Sequence, residues 1–341
     1  MVKKFNSLIE IAKECPRNIT IFKMIIKTWR TINNPDYKRI ACKISGGSDS
    51  DIMLDLVWRC DKDNKVTYIW FDTGLEYQAT KDHISYLEKK YDVHIQRQKA
   101  ILPIPLSAKK YGQPFINKRV SDYLERLQRH GFQWEDESYD ELIEKYPRCQ
   151  TALRWWCNTA KSNQFCISRH KCLKEFLIKA KPTIPFSCKC CVYAKKKVGN
   201  KLMVDGQYDL DVIGVRKAEG GPRANAYKSC FDKRSDNWSD DQTGWDTYRP
   251  LFWLKNEDKR QYEEVYHVIH SDCYAKYGLR RTGCAGCPLG MDIQAELNAI
   301  KEYEPGFYQA AMHTFGDAYE LTARYRQFKN DFPNEGDRCD N

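Results

Sequence analysis

The stretch Ile44-Ser45-Gly46-Gly47-Ser48-Asp49-Ser50-Asp51 follows a short apolar run, Ile40-Ala41-Cys42-Lys43-Ile44, and precedes a helical pattern of Ile52, Met53, Leu54, Leu56 and Val57. Strand, glycine pair and helix start together describe a phosphate cradle. Two glycines let the backbone turn tightly and bring its N–H groups against an anion. Ser48, Asp49 and Ser50 begin the helix, whose positive end attracts phosphate while hydroxyls cap free N–H groups. The Walker pattern G-x-x-x-x-G-K-[ST] and the dinucleotide pattern G-x-G-x-x-G are both absent at this loop. Read alone, the stretch could still be an ordinary turn and N-cap.

Around it, residues 37–96 alternate as strands near 38–44, 66–71 and 93–96 and helices near 49–60 and 78–91. That order predicts an α/β fold with a doubly wound parallel sheet and ligands at the carboxyl ends of its strands. Asp72-Thr73-Gly74-Leu75-Glu76-Tyr77 falls at such an end, after the apolar run Val66 to Phe71. Asp72 or Glu76 would there meet ribose or adenine, or Asp72 would only cap a turn.

The S-G-G-x-D-S order resembles the PP-loop of the ATP pyrophosphatase (adenine nucleotide alpha hydrolase) superfamily, and F-D-T-G-x-E-Y resembles phosphoadenylyl sulfate (PAPS) reductase relatives of phage and bacterial type. Further segments resemble the same family. They are Arg154-Trp155-Trp156-Cys157 with Lys161, Cys190-Cys191 with Lys195-Lys196, Gly214-Val215-Arg216 with Glu219, Arg249-Pro250-Leu251 with Trp253, and Cys284-Ala285-Gly286-Cys287. An extra Trp and Asn158 depart from the pattern at the first of these. The resemblance covers roughly residues 37–290. It implies that Ser45, Gly46, Gly47, Ser48, Asp49, Ser50, Asp72, Thr73, Gly74, Glu76, Arg216, Glu219 and Arg223 bind the nucleotide, ATP or adenylyl sulfate/PAPS, with Mg²⁺. Arg suits an anion clamp because its planar fork matches a phosphate or sulfate; an ion pair between Arg216 and Glu219 is the structural alternative. Asp49 and Arg216 are the catalytic candidates.

A sequence with 15 cysteines and no run of the roughly 18–20 apolar residues a membrane span needs is expected in the cytoplasm, off any membrane. There, cysteines serve metal or redox chemistry more than disulfides. The pairs Cys190-Cys191 and Cys284-x-x-Cys287 could together make a four-thiolate site for zinc or for a [4Fe–4S] cluster. The arrangement is similar to the cluster ligands of assimilatory adenylyl sulfate reductases, which implies the cluster, with zinc as the alternative. Cys188, Cys157 and Cys273 are alternates, Cys230 a reserve candidate, and Cys42 and Cys60 belong to the core. Reductases that release sulfite carry an E-C-G-L-H run whose Cys attacks sulfur; here Cys339 stands near that place without its neighbours, as a weak catalytic candidate beside Arg338.

The linear division expected is residues 1–36 as N-terminal helices, 37–230 as the nucleotide-binding α/β domain and 231–341 as a helical region carrying the C-x-x-C. A net charge of +10 and the basic segment 109–129 are consistent with a polyanion partner. Three functions are compatible with the resemblance. One is adenylation-dependent sulfur transfer to DNA or tRNA, similar to DNA phosphorothioation enzymes and tRNA thiolases and served by a cysteine desulfurase. Another is sulfonucleotide reduction with a thiol reductant protein. The third is a nucleotide-binding partner or regulator without turnover, in a nucleic-acid or phage-defence assembly.

Overall fold

The computed structural model describes residues 2–220, 226–234, 244–290 and 292–331. Arg223 and Cys339 lie outside the described residues. The chain forms two compact units that cut across the linear three-part division: Met1–Ile101, Tyr193–Ala285 and Glu302–Glu304 make the first, and Leu102–Val192, Gly286–Lys301 and Pro305–Asn341 the second.

The first unit is built on a six-stranded sheet. Its strands are β1 (Ile40–Ile44), β2 (Val66–Asp72), β3 (Ile95–Lys99), β4 (Leu210–Ile213), β5 (Phe231–Asp232) and β6 (Asp246–Tyr248), in the order β3-β2-β1-β4-β6-β5. All neighbours are parallel except the edge pair β5 and β6. The chain runs β1 to β2 to β3 on one side and then returns to place β4 on the other side of β1. The loop after β1 therefore leaves the sheet where the strand order reverses, the crevice at which open α/β sheets take ligands.

Both faces of this sheet are covered, and the strand residues divide between them with period two. Ile40, Cys42 and Ile44 of β1, with Tyr68, Trp70, Leu210 and Val212, join a core filled by Ile52, Met53 and Leu56 of helix Ser48–Cys60 and by Ile21, Ile25 and Ile32 of helix Ile19–Ile32. Ala41 and Ile69 point the other way, against Leu202 and Met203 of helix Lys197–Asp205. Cys42 and Cys60 are fully buried, as the sequence predicted, and burial pushes both thiols well above the usual range.

Two segments differ from what their sequence suggests, which is an irregular loop over 231–249, whose residues 235–243 lie outside the described residues, and one helix over 257–277. Residues 231–249 read as irregular because they are polar and interrupted, yet Phe231–Asp232 and Asp246–Tyr248 pair to complete the sheet. Residues 257–277 are not one helix: helix Asn256–Tyr266 ends where His267 turns left-handed (φ 50°), and a short helix, Asp272–Ala275, follows.

The second unit is helical among its described residues. Helix Lys118–Arg129 lays Leu124 and Leu127 against Trp155 and Trp156 of helix Gln150–Trp156, with Phe115, Phe176 and Phe186 around them. Leu321 and Tyr325 of the long helix Pro305–Asp331 close that core. No helix among the described residues is long and apolar enough to cross a membrane.

Candidate nucleotide-binding site

The loop after β1 is shaped by its two glycines. Gly46 has φ +70°, and a Cβ there would stand 2.7 Å from Thr80 Cγ2, so only glycine fits without strain. At Gly47 a Cβ would meet Thr282 Oγ1, Ser45 Oγ and Tyr274 O–H at 3.2–3.3 Å, filling a small concavity walled by hydroxyls. The Ser45 N–H donates to Ser50 Oγ (2.8 Å), fastening the loop to its own helix. Gly47 is the N-cap of helix Ser48–Cys60 and offers no side chain to its free N–H groups. The Ser48 N–H donates instead to the Tyr274 phenol oxygen (2.9 Å). An uncapped helix start facing hydroxyls can hold an anion through the N–H groups and the helix dipole.

Charge is concentrated on Asp49. Arg216 Nε donates to its Oδ2 at 2.8 Å and Lys259 Nζ stands 2.8 Å from its Oδ1. Lys259 also donates to Ser48 Oγ (2.6 Å). Burial opposes ionisation of Asp49, but Lys259 and Arg216 outweigh it and hold the carboxyl below the usual carboxylate range. Two cations thus converge on one carboxylate, and Lys259 also stands 3.6 Å from Glu263. Arg216 is buried and further fixed by the Leu254 carbonyl (3.4 Å) and Asn256 Oδ1 (3.0 Å). The sequence alternative, an ion pair from Arg216 to Glu219, is replaced: the Glu219 carboxylate accepts the Arg216 backbone N–H at 3.3 Å.

Beneath the loop, Asp51 is fully buried between two histidines. His270 Nδ1 lies 2.8 Å from its Oδ2, and His83 Nε2 lies 3.1 Å from Oδ1 without hydrogen-bond alignment. The other His270 nitrogen, Nε2, lies 2.8 Å from Glu263 Oε1. Burial works against a charged His270, yet its bonds to Asp51 and Glu263 prevail and raise it to about 9. His270 is thus an imidazolium clamped between two carboxylates near neutral pH.

At the end of β2, Asp72 Oδ1 accepts the Gly74 N–H (3.0 Å), so this side chain caps the turn. Glu76 is buried and accepts from Thr73 Oγ1 (2.5 Å); burial pushes its carboxyl up, against the pull of Lys195 and the Thr73 bond. Thr73 Oγ1 also lies 3.6 Å from Cys284 Sγ, and the Ala285 N–H donates to the Leu75 carbonyl (2.9 Å). The first cysteine of the C-x-x-C therefore packs on the same strand end as the nucleotide candidates, and Thr282, two residues before it, borders Gly47.

The remaining cysteines are placed as follows. Cys190 and Cys191 end helix Lys189–Cys191, Cys190 buried and Cys191 half-buried. Burial, then Asp122 and Cys191, raise the Cys188 thiol. Cys157 closes helix Gln150–Trp156, and Cys273 is fully buried 3.7 Å from Thr80 Oγ1. Among the described residues, no three His, Cys, Asp or Glu side chains are gathered as a metal site. The soft thiolate character of the two Cys pairs still suits iron–sulfur or zinc.

Sequence reasoning missed Lys259, Tyr274, Thr282, Asp51, His83 and His270. Asp51 and Thr282 adjoin recognised motifs and could have been included. Lys259 carries no signal beyond an i,i+4 spacing from Glu263, its neighbour at 3.6 Å.

The profile of the phosphoadenosine phosphosulfate reductase domain matches residues 39–289. The chain belongs to this family. Its members are enzymes. No curated protein sequence matches the chain. Similar solved structures include the PAPS reductase of Candida auris in a phosphate complex (13% identity, 83% of this chain and 97% of that one, TM-score 0.41). Another is the U34-tRNA thiolase NcsA of Methanococcus maripaludis with its [4Fe–4S] cluster (13%, 95% and 84%, TM-score 0.38). A third is the NH3-dependent NAD synthetase of Campylobacter jejuni (11%, 96% and 98%, TM-score 0.35). Similarity at this level speaks to neither reaction nor cofactor.

Proposed function

We propose that this PAPS reductase-family chain binds ATP in the Ser45–Asp51 loop and activates a nucleic-acid acceptor for sulfur transfer. The observation that carries the reading is a helix start whose N-cap, Gly47, brings no side chain and whose first N–H groups meet only the hydroxyls of Ser45 and Tyr274, flanked by two cations that converge on Asp49. Backbone N–H groups of the loop would take the β- and γ-phosphates, while Arg216 and Lys259 stabilise charge on the departing pyrophosphate. Mg²⁺ bound with the nucleotide would supply further charge neutralisation. An acceptor oxygen attacks the α-phosphorus, the bond to the β-bridging oxygen breaks and pyrophosphate leaves. A persulfide sulfur from a desulfurase partner then displaces AMP from the activated acceptor, and a second thiol resolves the resulting disulfide. Little acid–base chemistry is needed in the first step; orientation and charge do the work. Cys190, Cys191, Cys284 and Cys287 would hold a [4Fe–4S] cluster or zinc, which would supply a Lewis-acidic or redox centre.

Net charge favours a polyanionic acceptor over a small sulfonucleotide alone. The test is product analysis. The chain, purified without oxygen, is incubated separately with Mg·ATP, adenylyl sulfate and PAPS, with and without tRNA or DNA and a thiol reductant. Pyrophosphate that depends on nucleic acid, with no sulfite in any tube, is the expected outcome. Sulfite from PAPS or adenylyl sulfate overturns it in favour of reduction, and bound nucleotide without any product overturns it in favour of a regulator.

A further inference from the structure

The cationic surplus is distributed unevenly, and its exposed part is not where the sequence first points. Helix Lys118–Arg129 looks strongly basic, but Arg126 is paired with Asp122 (2.9 Å) and Arg129 with Glu125 (2.5 Å). The following segment is different. Between Glu144 and Glu175 the sequence contains no Asp or Glu, while it carries Lys145, Arg148, Arg154, Lys161, Arg169, Lys171 and Lys174, of which Lys145 pairs with Glu135 and Glu137 and Lys174 with Asp136.

Two short 3-10 turns, Asn163–Phe165 and Ile167–Arg169, fold the centre of that segment onto the start of helix Lys118–Arg129. Arg119 Nη1 donates to the Gln164 carbonyl (3.1 Å), and its guanidinium lies 4.5 Å from the Phe165 ring centroid. Asn117 Nδ2 is 3.4 Å from His170 Nε2. Burial, then Arg169 and Arg119, hold His170 below its usual pKa. Asn163, Gln164, Ser168 and Arg169 line an open recess of about 400 Å³. Among the described residues, Arg119, Lys161 and Arg169 are exposed and none has a carboxylate within ion-pair distance.

We propose that this face of the second unit is the docking surface for the phosphodiester backbone of the acceptor nucleic acid. The proposal rests on the nucleic-acid reading of the function. Uncompensated Arg and Lys beside amide and hydroxyl side chains are the groups that contact phosphate and sugar. Arg119 is held in place by a ring and a carbonyl, so little side-chain freedom is lost when it meets an anion.

The test uses the full chain and fluorescence anisotropy with a labelled tRNA-length hairpin RNA and a 20-base-pair DNA duplex over a series of salt concentrations. R119E/R169E should weaken binding at least about tenfold and lower the salt slope by about two, one for each phosphate no longer neutralised. R169E alone, at an exposed position, guards against misfolding of the double variant. The neighbouring control R126Q should change binding little, and a fluorescent ATP analogue should bind all variants equally. Unchanged binding in R119E/R169E, an equal loss in R126Q, polyglutamate competing as well as RNA, or no binding of either nucleic acid by the wild-type chain would each overturn the docking surface. Pyrophosphate release, measured on the same proteins, separates the two readings. Binding that depends on Arg119 and Arg169, with pyrophosphate release indifferent to nucleic acid, keeps the surface and removes the acceptor role. Nucleic-acid-dependent release in R119E/R169E at wild-type affinity does the reverse.

Discussion

At the scale of single residues the loop glycines and His270 give the sharpest expectations. Gly47→Ala leaves the backbone in a conformation any residue adopts but fills the concavity between Ser45, Tyr274 and Thr282. Stability should change by less than about 1 kcal/mol, since the neighbouring atoms are close rather than overlapping. Affinity for ATP should fall at least tenfold, read by equilibrium dialysis; unchanged affinity would mean the phosphates do not sit there. His270 gives a pH signature. Its pKa is about 9 in the folded chain and about 6.5 in an unfolded one. Its contribution is therefore complete below the unfolded value and disappears as pH rises through the folded one. The groups that set this are Asp51 and Glu263, with Lys259 beyond Glu263 and His83 beyond Asp51. Thermal midpoints of the wild-type chain should decline from pH 7 to 9.5, and His270→Gln should flatten that decline. The glycine pair was legible because loop chemistry is local. The histidine was not, because its partners come from the helix after β1 and from a helix more than two hundred residues later.

At the scale of elements, the helix after the loop is fixed from below by Asp55. This fully buried carboxylate accepts from Arg59 Nε (2.7 Å), Tyr91 O–H (2.9 Å) and Tyr262 O–H (2.8 Å). It thereby joins helix Ser48–Cys60 to helices Gln78–Tyr91 and Asn256–Tyr266. Asp55→Asn turns an N–H₂ group toward these donors and leaves Arg59 without its counter-charge, so it should cost about 3–5 kcal/mol. The urea midpoint reads this directly, and a loss below about 1 kcal/mol would show that the three helices are held by apolar packing alone. β1 to β3 and their helices could be read from the sequence because apolar runs long enough to show a period alternate with capped helices. β5 and β6 could not: two and three residues are too few to display a period, and it is pairing with β4 and β5 that makes β6 a strand. His267 ended a helix that apolar spacing alone would have continued.

At the scale of the whole molecule, motifs that read as one linear series are shared between two units, each assembled from separated segments. Hydrophobic period identifies elements but not which of them share a core, so the division was not visible. Trp155 and Trp156 make the point: they were recognised as part of a family motif, and in the structure they are the centre of the second unit's core. The cysteines test how far motif logic extends. If Cys190, Cys191, Cys284 and Cys287 ligate one centre, loss of any single thiol should remove most of the metal, because a four-thiolate site with three ligands binds far more weakly. Anaerobically purified wild-type chain should then contain iron and acid-labile sulfide in equal amounts, or one zinc per chain. C190S, C191S, C284S and C287S should each fall to a small fraction of that content. C42S, at a buried core position, serves as the control and should retain metal while losing stability. Retention of full metal in C190S together with loss in C284S would place the ligands elsewhere, with Cys188 the first alternate to replace. Equal retention in all four variants would leave these thiols as packing residues and would remove the cluster from the proposed chemistry, while leaving the phosphate loop and its two cations as they stand.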